Sequence, residues 1–439
     1  MVDTGYCSRS GEIRVRVCGG DAPVSKGPSM EQVLERENLI AALAQVKRNQ
    51  GGPGIDNMTV DELTEYLREH WPGIRTAVLG GEYAPQAVKR VEIPKAGGGV
   101  RELGIPTVLD RFIQQALLQV LQAEWDSGFS EHSFGFRPNR SAHLAVATAQ
   151  RYICKGYRWV VDMDLEKFFD RVNHDKLLHR VKERVSDWRI IKLITGFLKA
   201  GVMVGKEWRQ SPEGTPQGGP LSPLLSNLML DDLDKELERR GHCFVRYADD
   251  CNIYVRSERA GRRVLKSVTH FLKTRLRLPV NQAKSAVDRP WQRTFLGFTF
   301  TFRQGIRRKV SEKALKKFKA EIRGLTGRHR GCSIERIVKE TGRYLLGWRA
   351  YFGFSEIPSP LRDLEKWVRR RLRCYLWHQW GRRGYRELRN RGVDRELAWN
   401  TAKSAHGPWR LSKSPGLFIA LPNRYFEALG VPRLVVPKS

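Results

Sequence analysis

Three carboxylates carry the chemistry this 439-residue chain can do. Asp249 and Asp250 stand side by side in FVRYADDCNIYV (244–255), between two apolar runs that alternate like the arms of a β-hairpin. Asp is a poor strand former, and adjacent like charges repel. Alone, the pair is satisfied by a plain turn, where Asp is tolerated sterically. A third carboxylate tips the balance. Asp164 closes the apolar run RWVVDMDL (158–165), with Asp162 two positions earlier on the same face and Asp170 a little beyond. Carboxylates gathered at the ends of neighbouring strands cannot all stay ionised without a cation. Magnesium suits such a place, because it takes oxygen ligands, few of them from protein, and leaves the rest to water and phosphate. Two such ions clamp the attacking and leaving oxygens of a phosphoryl transfer.

The charge balance supplies the phosphate. Lys and Arg number 78 against 47 Asp and Glu, a net charge of +31, which points to a polyanionic partner. The excess is concentrated: residues 301–400 hold 27 basic and 10 acidic side chains. There the basic residues are interleaved with aromatics, as in Lys366-Trp367-Val368-Arg369-Arg370-Arg371, so the region is expected to fold. A basic membrane-surface helix is the competing reading, weakened by the broken segments and the absence of an apolar anchor. No signal peptide and no apolar run of spanning length is found, so no membrane partner is expected. The seven cysteines are scattered without a C-x-x-C pair, which argues against zinc and for reduced thiols in a cytoplasmic protein. Carboxylates beside a polyanion-binding surface mean polymerase or nuclease chemistry.

The elements that must position these groups can be read from periodicity. Residues 1–29 are polar and Gly-rich and read as a disordered leader. A helix follows over 30–49, and Thr59 is placed as the N-cap of the next. Residues 88–95 read as a strand, followed by a Gly-rich turn (97–99) and a second strand. Helices are expected from Asp110 to about Trp125, after Ser141, over 220–240 and over 264–278, and strands at 158–165 and 295–302. Asp231, Asp232 and Asp234 read as a solvated helix face. Three helices with basic outer faces span 311–380, and from about Tyr385 the pattern fades into Pro/Gly-punctuated sequence.

In their order these segments resemble the group II intron reverse transcriptase/maturase family. The resemblance is carried by GGPGIDNMTVDEL (51–63), RELGIPTVLDRFIQQAL (101–117), SFGFRPNRSAHLAV (133–146), VVDMDLEKFFDRVNHD (160–175), GTPQGGPLSPLLSNLML (214–230), RYADD (246–250) and FLGFTF (295–300). It covers roughly 30–300, and the helices at 311–380 look like that family's thumb, the X or maturase domain. The resemblance implies an α+β right-hand polymerase: fingers and palm (30–303), an all-α thumb/X domain (304–384) and a small basic C-terminal DNA-binding region (385–439).

It implies roles by matching position. Asp164, Asp249 and Asp250 take the place of the metal-binding triad for two Mg2+ ions. Phe169 matches the aromatic gate against a 2′-hydroxyl, and Gln217 the residue that contacts the incoming dNTP. Lys95 and Arg101 match the basic fingers pair on the triphosphate, and Lys284 the palm lysine near the phosphates. Blander readings stand beside these. Phe168 reads as packing, 97–99 as a simple turn, Gly218 and Gly219 as a tight backbone path. His132, His143 and His174 read as structural, and Arg137 and Arg140 as phosphate contacts. Trp348 and Trp367 are assigned to the core. The chain lacks the paired cysteines of an H-N-H endonuclease, so a primer from elsewhere would be needed for mobility. The partners implied are intron RNA, an RNA template with DNA primer, target DNA and dNTP. Two other readings share the motifs: an intronless reverse transcriptase used in repair or defence, and a splicing cofactor with a silent polymerase.

Overall fold

The computed structural model describes residues 27–94, 100–204, 207–209, 213–214, 218–302 and 305–435, with the Arg101 side chain excepted. They divide into two compact units, one of Met1–Glu124, Leu178–Ser211 and Gly218–Pro220, the other of Trp125–Leu177, Pro212–Gln217 and Leu221–Ser439. Strands are numbered along the chain.

The first unit buries the apolar stripes of several helices, among them Leu63–Leu79, Val108–Trp125 and Trp188–Lys199. Its sheet runs β2 (Val100–Ile105), β1 (Val88–Pro94), β4 (Val202–Val204), β5 (Glu207–Arg209). The β1–β2 hairpin is antiparallel, with Arg101 across from Ile93. The helix expected over 30–49 is two helices, Met30–Val33 and Arg36–Asn49. A capping box between Ser29 and Gln32 starts the first, and the Met30 amide donates to Asp187 at 2.8 Å. Apart from residues 27–29, the expected leader lies outside the described residues. Thr59 is not a cap: the helix begins at Leu63, and the Thr59 amide and hydroxyl both donate to the Glu62 carboxylate at 2.7 Å.

The second unit contains the carboxylates. Its main sheet has the order β6 (Cys243–Tyr247), β7 (Asp250–Val255), β3 (Trp159–Met163), β8 (Ala286–Asp288), antiparallel throughout. The run of Val160, Val161 and Met163 is buried, as a central strand requires. Helices Ala142–Cys154, Ser222–Arg239 and Glu258–Phe271 pack on it. Gly261 permits the last approach, since a Cβ there would lie 2.4 Å from the Val287 side chain. The strand expected over 295–302 is shortened to β9 (Phe298–Phe300), paired with β10 (Arg308–Val310), because the chain turns at Leu296 and Gly297, φ +49° and +80°.

The three helices expected after 311 are Glu312–Leu325, Ile334–Phe352 and Ser359–Trp380. Trp348 is buried and Trp367 packs against the core from its edge. The region after 385 is not irregular. Short helices, among them Gly384–Asn390, Arg395–Lys403 and Asn423–Ala428, insert Leu388, Ala398, Leu417 and Phe426 into the same hydrophobic cluster. Helices of four to nine residues are too brief to show a period. Among the described residues, no helix is long and apolar enough to cross a membrane.

Candidate active site

The hairpin expected at 244–255 forms, and its register decides where the carboxylates go. Tyr247 pairs with Asp250, so Ala248 and Asp249 make a two-residue turn and Asp250 opens β7. Ala248 has φ +55°, a region that disfavours side chains. On the neighbouring strand Met163, the last residue of β3, pairs with Cys251, so Asp164 leaves the strand end beside Asp250, and its charge acts on that carboxyl. Asp164 is fixed through its backbone: its amide donates to Ser285 Oγ at 3.0 Å and its carbonyl accepts from the Asn281 amide at 2.9 Å. Lys284 Nζ lies 3.5 Å from Asp164 Oδ2, so the lysine singled out by resemblance is placed beside the strand end.

Crowding shows in the acidity. Asp250 is pushed up to about 7, by desolvation first and then by the charges of Asp249, Asp162 and Asp164, with Lys284 opposing. Asp250 is exposed even so, at the start of β7. Asp162 is different. Burial pushes it up, but Arg293 donates to it from Nε at 2.9 Å and Nη2 at 2.6 Å and takes up its charge. Among the described residues no three His, Cys, Asp or Glu side chains form a ready-made metal cage. The donor set still fits magnesium, which is held by one or two carboxylates and completed by water and substrate phosphate. Asp164, Asp249 and Asp250 supply oxygen donors only, and the upward shift of the Asp250 carboxyl is the mark of a place where positive charge is wanted.

Behind the turn lies a network that sequence reading missed. Arg246 and Asp234 are fully buried and paired, with Nε–Oδ1 at 2.7 Å and Nη2–Oδ2 at 2.5 Å. Burial pushes the Asp234 carboxyl up, and the guanidinium opposes it. The expected solvated face of 231–234 is therefore corrected: Asp231 and Asp234 are both buried, and Lys235 reaches back to Asp231 at 2.6 Å. Arg137 is corrected likewise. It is buried, paired with Asp126 at 2.7 Å, and donates to the carbonyls of Ser130, Ser133 and Asp126, so it is committed to the fold. The histidines act structurally: His174 contacts the Gly214 carbonyl at 2.6 Å and His143 that of Tyr351 at 2.7 Å.

Phe168 and Phe169 share a short 3-10 turn, Phe168–Asp170. Phe168 is buried and Phe169 half-buried, its ring edge-on to Phe168 at 5.3 Å. The backbone under Phe169 is closely met by Gly214, where a Cβ would lie 2.7 Å from the Phe169 carbonyl oxygen, and Gly214 has φ +91°. Lys95, Gln217 and the 97–99 turn lie outside the described residues, as does the Arg101 side chain. Arg101 belongs to the β1–β2 hairpin of the first unit.

The C-terminal bundle presents cations with aromatic partners. Arg370 lies 3.7 Å from the ring centre of Trp409, which is partly exposed, and Lys403 lies 4.8 Å from that of the exposed Trp399. Not all its arginines face outward. Arg373 is buried, donates to the Leu421 carbonyl and Asn423 Oδ1, and is pushed down to about 10 by desolvation.

Comparison with known proteins bears on both parts of the chain. Residues 93–300 match the family described as Reverse transcriptase (RNA-dependent DNA polymerase), and residues 315–392 match the Group II intron, maturase-specific domain. Protein YkfC of Escherichia coli is 37% identical over 217 residues, 48% of this chain and 57% of that protein. The group II intron-encoded protein LtrA of Lactococcus lactis subsp. cremoris is 39% identical over 183 residues, 42% of this chain and 30% of that protein. The chain thus spans 57% and 30% of the length of these two relatives. A solved telomerase structure from Candida albicans aligns with 66% of this chain and 59% of its own at 12% identity, with a TM-score of 0.40, too low to bear on the argument. The polymerase domain followed directly by the maturase-specific domain makes this chain a member of the group II intron reverse transcriptase/maturase family.

Proposed function

We propose that the chain is an RNA-directed DNA polymerase that also binds a group II intron RNA, assisting its splicing and copying it into target DNA. The observation that supports this is the convergence of the β3 end, after which Asp164 follows, with the hairpin carrying Asp249 and Asp250, within a segment that matches the reverse transcriptase family. In this reading Asp164, Asp249 and Asp250 hold two Mg2+ ions, which when bound supply charge stabilisation for the oxygens entering and leaving phosphorus. Lys284 offsets part of the carboxylate charge and reaches toward the triphosphate. Lys95 and Arg101 add cations against the charge building on pyrophosphate. Gln217 contacts the incoming dNTP. The Phe169 ring closes the space a 2′-hydroxyl would need.

The fingers and palm then comprise 30–303, the thumb/X domain 304–384 and the DNA-binding region 385–439. The bundle's cations track the phosphates of intron RNA and target DNA, and Trp399 and Trp409 offer stacking faces for unpaired bases. Binding of this kind weakens steeply with salt. A cytoplasmic site of action follows from the substrates.

Primer extension on poly(rA)/oligo(dT) tests the reading. The parent protein should incorporate dTTP in Mg2+, and Asp249→Ala should not. A folded parent protein that extends no primer but still binds intron RNA would leave the silent-polymerase reading in its place.

A further inference from the structure

We infer that Arg246 is a positioning residue for the carboxylate turn: anchored on Asp234, its guanidinium fixes the Ala248 peptide and so the direction in which Asp249 leaves the hairpin. The inference rests on the reading of Asp249 as a cation ligand.

All five N–H donors of Arg246 have partners. Nε and one Nη2 hydrogen serve Asp234, the other Nη2 hydrogen serves Ser133 Oγ at 2.8 Å, and Nη1 serves Asn227 Oδ1 at 3.0 Å and the Ala248 carbonyl at 2.9 Å. The last of these bonds reaches the turn itself. Asn227 extends the grip by donating to the Gly135 carbonyl at 2.8 Å. Gly135 lies against the preceding peptide, on the other side of Ala248, for a Cβ there would be 2.4 Å from the Ala248 nitrogen. Segment 132–134 is in turn zipped to β6, the Arg246 amide donating to His132 and the Phe134 amide to the Arg246 carbonyl, both at 2.9 Å.

A buried ion pair is weak evidence for stability, because apolar residues of similar volume often serve a core as well. Such residues cannot hold a carbonyl oxygen. Ala248 adopts the left-handed region without being glycine, a conformation that persists only where its surroundings over-determine it. Arg246 and Gly135 are those surroundings. Outer partners that orient a metal's ligands act in this way, and losing one costs about 10–100-fold in metal affinity or activity.

The test uses Mn2+ as probe, with free ion counted by electron paramagnetic resonance in the absence of substrate. The variants are Arg246→Met with Asp234→Leu, which removes both buried charges, and Arg246→Lys, whose three donors cannot reproduce the fork. Each is checked for cooperative melting. Both should bind Mn2+ about 10–100-fold more weakly and need correspondingly more Mg2+ for primer extension, with the KM for dTTP at saturating Mg2+ near the parental value. Ser133→Ala removes an Arg246 bond that does not reach the turn and should leave Mn2+ binding at the parental level. Folded variants with parental Mn2+ affinity overturn the inference, as does loss of folding in both, which would mark the pair as purely structural. Asp249→Ala is read alongside. If it leaves Mn2+ binding intact, the reading of the carboxylates fails, and that failure is visible apart from the behaviour of Arg246.

Discussion

At the solvent-facing ends of β3 and β7, Asp164, Asp249 and Asp250 crowd together with the exposed Lys284 at their edge, whereas in the dry interior behind the same hairpin Asp234 meets Arg246 through two short bonds. The two places use one residue type for opposite ends. Inside, every donor of the arginine is spent, and the charge is settled within the fold. At the strand ends like charges are left side by side, and Asp250 rises to about 7 through desolvation first and then through those neighbouring charges. Repulsion there works against folding, and a divalent cation, in the proposed function, would relieve it. The interior pair is held by short bonds on every side, and in the proposed function the crowded charge at the strand ends is what a cation and substrate would use.

The largest expected effect separates these two roles. Arg246→Ala leaves a carboxylate buried without its partner and should cost about 3–5 kcal/mol of stability. Asp249→Ala should abolish primer extension while leaving the urea midpoint unchanged or slightly raised, because it removes a repelling charge. Urea unfolding of the two variants, side by side and without divalent cation, checks this. An Asp249→Ala protein as unstable as Arg246→Ala would erase the distinction.

Adjacent phenylalanines offer a second contrast of interior against edge. Phe168 is core, while Phe169 is only half-buried beside Asp170. Phe169→Val should cost about 1–2 kcal/mol, the price of a partly buried side chain losing several carbons. Its larger consequence is selectivity: rNTP incorporation should rise about 10–100-fold relative to dNTP, the range over which a pocket discriminates by shape. Single-nucleotide extension with dTTP and UTP measures the ratio, and an unchanged ratio removes Phe169 from its assigned role.

Much of this is legible in the amino-acid sequence. The hairpin and the strand ending in Asp164 announced themselves because apolar alternation sets the pairing, and pairing sets the carboxylates. The interior pair had a signal that composition obscured. Asp234 falls in phase with Leu230 and Leu237 on the buried stripe of its helix, and Arg246 shares a strand face with the buried Phe244. A charged residue in phase with an apolar stripe calls for a partner of opposite charge, and each of these was the other's. Arg137 and Arg293 gave no such signal, since both lie outside regular elements, where no period says which way a side chain turns. The helices after 385 were hidden by brevity, although their caps at Asp394 and Ser414 were present in the sequence.

Acidity gives a smaller effect, with a definite sign. A carboxyl at about 7 in the folded protein and about 3.9 unfolded binds its proton more tightly when folded. Between those values the native state holds more protons, so metal-free stability should fall as pH rises from about 4 to about 7 and level off above. Because water reaches Asp250, the slope should be shallow. Melting curves of the parent protein against Asp250→Asn across this window isolate it. Equal slopes would show that the surroundings of Asp250 do not raise its carboxyl as its placement requires.

The smallest expected change in stability comes from Lys284, and it is informative because two of its consequences run in opposite directions. The pair with Asp164 is 3.5 Å long and its lysine largely exposed, so Lys284→Ala should alter stability by less than about 1 kcal/mol. Removing it makes the strand ends one charge more negative, which should tighten Mn2+ binding in the absence of substrate. If the same ammonium also meets the triphosphate, the KM for dTTP should rise. A lysine that merely pairs with Asp164 would tighten the metal and leave KM alone. One that serves only the substrate would raise KM and leave the metal alone. Tighter metal and weaker nucleotide together are what a cation shared between carboxylate and phosphate must produce, and loss of either half shows which partner it truly serves.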